Sequence, residues 1–355
     1  MKRLIRRLVL ISGVATILAA ALLIALLPMV RAMFWVSADG WVCKTAQASL
    51  DHIGSLVRID PECQINLLSG RRFVIAHFAT TSGTVPVSIL YRPTGDPITR
   101  VVIRVQGGPG GDALVPPVWL EDFSSFIERC NSAIVSPAYS GSYERSNYPA
   151  SSHQDAEAEV GEVITAFAAR PELKTHIVAE SLGGNIISSP KVPIPPGGHL
   201  LFVPALQSPK EILNYFKETN PYRHLLSNTY QEVYIKKNGK LVLSNVNQFD
   251  FMKSYFGDDS KYLRQNFIDR WNEKTNVSPD AQIYLAMARD DERAGGARFA
   301  APLEKMGMIA DVIEGDHYGD NKHRGRMDRA HRWFVNQVCD DNLGEPLIKF
   351  HLPQF

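Results

Sequence analysis

The sequence predicts an α/β fold built on a mainly parallel, eight-stranded sheet with helices on both faces and a cap inserted late in the chain. Three observations lead there. From residue 71 onward, short runs rich in β-branched residues alternate with stretches of helical periodicity, and strands separated by helices pair in parallel through right-handed crossovers that cover both faces of a sheet. One of those runs, Ile177-Val178-Ala179-Glu180, leads directly into Ser181 and then into Leu182-Gly183-Gly184, the pattern of a sharp strand-to-helix turn that exposes a serine. About eighty residues then separate the run at 199–203 from the run at 282–288, far more than a crossover needs, so an insertion is expected between them.

The chain begins with a compartment signal. Lys2, Arg3, Arg6 and Arg7 precede an uncharged, mostly apolar run, residues 8–27, which is followed by Pro28 and Arg31. At roughly 20 residues this run is long enough to span a bilayer and longer than the roughly 7 to 15 residues of a signal-peptide core. The basic flank favours an N-terminus kept in the cytoplasm. Residues 1–32 are therefore expected to be an uncleaved anchor in an inner or plasma membrane. The alternative is a cleaved signal and a secreted protein, since Val30 and Ala32 suit a signal peptidase. On both readings the remainder works outside the cytoplasm.

Four cysteines fit such a compartment. Of the three possible pairings, Cys43 with Cys63 and Cys130 with Cys339 is the most natural, with buried free thiols as the alternative. No Cys/His spacing resembles a zinc site, and neither a metal nor another cofactor is expected. With 355 residues, 45% of them hydrophobic, the chain can bury a full core. A formal net charge of +1 and the lack of a basic stripe with interleaved aromatics argue against nucleic acid as a partner.

Residues 33–70 show weak periodicity and are expected to be a juxtamembrane segment, with Trp35 and Trp41 as interfacial anchors or local packing. Strands are predicted at 71–79, 84–91, 101–105, 132–136, 175–179, 199–203, 282–288 and 309–313. The first two form a hairpin across Ser82-Gly83. Ala156, Val160, Val163, Ile164 and Phe167 recur at helical spacing before Pro171 and give the clearest helix. Residues 71–204 and 281–355 make up the core, and 205–280 the cap. The cap is rich in aromatics, and Val233 to Leu243 reads as a hairpin with an Asn238-Gly239 turn. Those aromatics either line a substrate pocket or pack the insertion's own core. Lys236, Lys237 and Lys240 at the hairpin tip are a solvated turn or a contact for an acidic substrate. Residues 323–339 form a closing helix, whose arginines make a solvated face or touch anionic lipid.

Cleaving an ester or amide requires a nucleophile, a base, a group that orients the base, and donors for the oxyanion. Ser181 is the expected nucleophile; a plain helix N-cap serine is the bland alternative. The donors are expected in Gln106-Gly107-Gly108-Pro109-Gly110-Gly111, directly after the strand at 101–105. One would be the N–H of Gly107 or Gly108 and the other the N–H of Leu182. Gln106 donates its side-chain amide or shapes the loop, and Glu180 stands beside the nucleophile. The base is expected to be His317, after the last strand and so at the same crevice, with His323 as its rival. The acid follows the strand at 282–288, where Asp290 and Asp291 compete and Asp291 fits the offset better.

On these residues the span 71–339 resembles the α/β-hydrolase superfamily. Val85-Pro86-Val87 through Arg92-Pro93, the Gly-Gly-Pro-Gly turn and Pro137-Ala138-Tyr139-Ser140-Gly141-Ser142 are similar to the catalytic domain of prolyl-oligopeptidase-type peptidases. The chain departs from those enzymes at Gln106 and is too short for their β-propeller. The resemblance implies a serine hydrolase acting on a small-molecule ester or a peptide. An acyltransferase of the same fold, or a binding protein without turnover, are the alternatives.

Overall fold

A computed structural model describes residues 35–38, 43, 47–67, 69–108, 113–114, 126–142, 145, 147–148, 150–219, 230–237, 240–292, 294–315 and 324–339. The run at 8–27 lies outside them, and among the described residues no helix is long and apolar enough to cross a membrane.

All eight expected strands are present. They are β3 (Arg72–Thr80), β4 (Gly83–Tyr91), β5 (Arg100–Val105), β6 (Ser132–Pro137), β8 (Lys174–Glu180), β9 (Gly197–Phe202), β12 (Ala281–Ala288) and β13 (Ile309–Ile313). The sheet nevertheless has ten strands, in the order β1-β2-β3-β4-β6-β5-β8-β9-β12-β13. The two additions, β1 (Trp35–Ala38) and β2 (Val57–Asn66), come from the segment expected to be a mere juxtamembrane lead. They pair antiparallel with each other and with β3, joined through a short helix α1 (Asp51–Gly54). Trp35 packs edge-on against Phe73, with ring centroids 6.3 Å apart, so its role is local packing.

From β6 through β13 every pairing is parallel, which places the ends of β5, β8, β9, β12 and β13 along one rim. Strands buried on both faces must be apolar on both, as Val101-Val102-Ile103 and Ile177-Val178-Ala179 are. On one face lie α3 (His153–Ala168), which buries Ala156, Val160, Val163, Ile164 and Phe167, and α4 (Leu182–Ile187). Ser152 caps α3 by accepting from the Asp155 N–H at 3.1 Å. The other face is covered by α2 (Phe126–Arg129) and the closing helix α10 (Arg324–Cys339), whose Ala330, Phe334, Val335 and Val338 meet Val102, Val178 and Leu200.

Between β9 and β12 stand α5 (Pro209–Thr219), the hairpin β10 (Tyr230–Lys237) and β11 (Lys240–Asn247), α6 (Gln248–Phe256), α7 (Ser260–Arg264) and α8 (Phe267–Asn272). The hairpin pairs Lys237 with Lys240, and Asn238 and Gly239 between them lie outside the described residues. Its β10 also pairs with the two-residue strand β7 (Asn147–Tyr148). Phe251, Tyr255, Phe256, Tyr262, Phe267 and Trp271 are all buried in the main core cluster, so these aromatics serve packing. After β12, α9 (Ala300–Lys305) returns the chain to β13.

Both expected disulfides are formed, Cys43 to Cys63 and Cys130 to Cys339. The second ties the end of α2 to the end of α10 across 209 residues, and both fit an oxidising compartment.

Candidate active site

β8 ends at Glu180 and α4 begins at Leu182, so Ser181 alone makes the turn between them. Its backbone sits at φ 46° and ψ −116°, a left-handed-side conformation that L side chains rarely adopt. Such strain persists only where the surroundings over-determine it. Here the Ser181 N–H donates to Phe202 O at 3.1 Å, while Gly184 and Ala205 donate to Ser181 O at 3.0 and 2.7 Å. The small residues around the serine have a steric cause. A Cβ at Gly183 would collide with the Val105 carbonyl oxygen and stand 2.8 Å from that of Gln106, and one at Gly184 would strike Pro204. Ala179, where a glycine is usual, is fully buried, so its methyl group is accommodated.

The glycine turn after β5 meets the elbow. A Cβ on Gly107 would lie 3.0 Å from Ser181 Cβ and 3.4 Å from Glu180 O, a tight fit that brings the Gly107 backbone close to the serine. Gly108 follows in the same turn, while Pro109, Gly110 and Gly111 lie outside the described residues. The Gln106 side chain is buried, and the Gln106 backbone carbonyl accepts from the Tyr139 hydroxyl at 2.6 Å, which ties the turn to the segment after β6. Leu182 is buried at the first position of α4.

The two aspartates after β12 part company. Asp290 is exposed, whereas Asp291 is 4% exposed and accepts from the Ala294 N–H at 2.8 Å. The loop that carries them is laced on both sides. Leu206 and Gln207 donate to Ala294 O at 2.8 and 3.2 Å, and the Gln207 side-chain amide donates to Glu292 O at 2.9 Å. Gly296, at φ 49°, is crowded by the Ala288 and Arg289 carbonyls at 2.8 and 2.9 Å from a notional Cβ. On the far side Arg289 donates to Ile313 O at 2.7 Å and Asp290 to Gly315 O at 3.0 Å. The acid loop is thus stitched to the segment that leaves β13 toward residue 317. His317 and His323 themselves lie outside the described residues.

The other strand histidines have structural tasks. His199 accepts from the Ile177 N–H at 3.1 Å through Nδ1 and donates through Nε2 to Pro195 O at 2.8 Å. Burial pulls it down to about 3, so it stays neutral. His176 bonds Gly198 O through Nδ1 at 3.1 Å, and His77 meets the Asp60 carboxylate.

Glu180 does not act alone beside the serine. It forms a two-point ion pair with Arg104 of β5, at 3.1 and 3.4 Å, on the α10 face of the sheet. The sequence signal was a charge at the same face of two otherwise apolar strands. A second polar group went unread. Arg270 of α8 is 2% exposed, donates to the Asn185 carbonyl at 3.1 Å and to its side chain, and pairs with buried Glu157 of α3. Tyr262 and Ser189 also donate to Glu157. His153 stacks on Tyr255 and bonds Asn185 Oδ1 at 3.0 Å. Desolvation, then the Arg270 and Lys191 charges, hold it well below the usual histidine range. This cluster binds the segment between β9 and β12 to α4, the helix that starts after Ser181. Among the described residues no group of histidine, cysteine and carboxylate side chains could hold a metal ion.

No protein-family model matches the sequence, and none of the curated proteins does. Solved structures do. An acetyl xylan esterase from a Thermoanaerobacterium species is 12% identical over 82% of this chain and 92% of its own, with a TM-score of 0.49. A bacterial heroin esterase is 13% identical over 76% and 85%, with a TM-score of 0.49. An acylaminoacyl peptidase from Pyrococcus horikoshii is 12% identical over 78% of this chain and 43% of its own, with a TM-score of 0.48. Its own strand order, the turn at Ser181 and the crossovers on both faces give this chain the α/β-hydrolase fold.

Proposed function

We propose that the protein is a membrane-anchored serine hydrolase, working outside the cytoplasm, that cleaves an ester or amide bond through an acyl-enzyme on Ser181. The observation that carries this reading is the Ser181 backbone, held at φ 46° with the Gly107 backbone against it. A serine that merely capped a helix would have no need of that strain.

In the proposed cycle His317 takes the proton from Ser181 Oγ, and Oγ bonds to the substrate carbonyl carbon. The carbonyl oxygen becomes an oxyanion that accepts from the N–H of Leu182 and of Gly107 or Gly108. As that intermediate collapses, the bond to the leaving alcohol or amine breaks and His317 returns the proton to it. Water then gives a proton to His317 as its oxygen bonds to the acyl carbon, the bond to Ser181 Oγ breaks, and Oγ recovers that proton while the acyl group leaves as an acid. Buried Asp291 orients His317 and stabilises its cationic form. Residues 205–280 serve as the cap, 8–27 as the anchor. Product formed without an added acceptor separates a hydrolase from an acyltransferase.

The triad acid provides the test. With a chromogenic ester, Asp291→Asn should lower kcat by about 10³ to 10⁴, and Asp290→Asn should leave it within about twofold. The opposite ranking would move the acid to Asp290.

A further inference from the structure

The parallel strands give the molecule two unlike ends. Ser181, Gly107 and Asp291 stand at the ends of β8, β5 and β12. The chain enters the sheet at the other end, because Trp35 pairs with Asn66, Ile65 with Arg72, and Arg72 with Tyr91, which lies beside Ala133 at the start of β6. Only residues 28–34 separate the apolar run from β1, and seven residues reach at most about 24 Å. The nine residues of β3 span roughly 27 Å between the two ends.

The surface where the chain enters suits a bilayer. Leu67, next to the Trp35 pairing, is 61% exposed, and Val36 on the edge strand is 38% exposed. Arg72, Arg92, Arg100, Arg129, Arg170, Lys174 and Lys305 lie at the same end of the sheet and outnumber Asp96, Glu172, Asp280 and Glu304 there, while Arg71 and Glu128 pair with each other. Apolar side chains beside a basic surplus match an interface with anionic headgroups.

We propose that the enzyme stands on this end, with Leu67 at the lipid interface and the serine crevice turned away from it, and so draws its substrate from the aqueous phase and not from the bilayer. The proposal rests on the reading of residues 8–27 as an uncleaved anchor. It confines the substrate to water-soluble esters or peptides.

Full-length protein in phosphatidylcholine vesicles with a fraction of phosphatidylglycerol and spin-labelled lipid tests it. All four cysteines are in disulfides, so a fluorophore can be placed singly through Leu67→Cys or through Ser82→Cys in the β3–β4 turn at the catalytic end. The protein should float with the vesicles, with the label at 67 quenched several-fold more than the label at 82. Equal quenching, or the reverse, in floated protein would overturn the orientation alone. Failure to float would sink the anchor reading and the orientation with it. Quenching needs no turnover, so it stands apart from the hydrolase reading. In the same vesicles a soluble acetate ester should be cleaved at least tenfold faster than a long-chain ester dissolved in the bilayer. Faster cleavage of the bilayer ester, or equal rates for the two, would overturn the aqueous-substrate claim, whereas cleavage of neither, nor of a soluble chromogenic ester without vesicles, would overturn the hydrolase reading and leave the orientation standing.

Discussion

At Ser181 the chain accepts an unfavourable backbone in the single residue that joins β8 to α4. The arrangement works only because its neighbours lack side chains. Gly183 lets the Val105 and Gln106 carbonyls close on α4, and Gly107 lets the following turn touch the serine. Gly183→Ala should therefore reduce stability by about 1–3 kcal/mol, the usual range for overpacking, and reduce kcat more than it raises KM. Urea unfolding and ester kinetics on the same preparation check this; an unchanged kcat would show that the turn tolerates displacement. Beside Ser181, the Glu180 carboxylate has a task of its own, since it is engaged by Arg104.

Among the elements, α4 and α8 are coupled across 85 residues by Arg270 and Asn185. Removing one partner of a buried ion pair leaves the other charge uncompensated, at a cost of about 3–5 kcal/mol. Arg270→Met should lose that much by denaturant titration, and adding Glu157→Gln should restore part of it; a loss below about 1 kcal/mol would contradict the account. The eight core strands, the hairpin and the closing helix were legible because β-branched runs and helical periodicity report burial directly. β2 was not. Its Arg58, Asp60, Pro61 and Glu62 interrupt any alternation, and its register with β3 shifts between Ile59 and Cys63. The candidate site was read as an order of residues along the chain, Ser181, then an aspartate, then His317, of which His317 lies outside the described residues. The difference in burial between Asp290 and Asp291 was not legible, since it depends on how the loop turns one carboxylate inward. Nor was the Arg270 cluster, because its members converge only in the fold.

For the molecule as a whole, polarity along the strands sets function and buried histidines set its acid tolerance. His199 is held neutral, down to about 3, and His153 also lies well below its usual range. The unfolded chain takes up a proton at each near 6.5, while the native state does not. The contribution of His199 is therefore fully present above that pH and is lost as pH falls through the window toward 3, by about 1.4 kcal/mol per unit, and His153 acts in the same direction. Urea midpoints between pH 7 and 4 should follow this slope, and His199→Asn, though less stable at pH 7, should show a shallower one. An identical slope in the variant would remove His199 from the explanation.

The reaction class itself is tested most directly by a fluorophosphonate probe, which captures only an activated serine. Mass spectrometry of the labelled protein should place a single adduct on Ser181, lost in Ser181→Ala while circular dichroism stays unchanged. A folded protein that takes up no probe, or takes it up on another residue, would contradict the account.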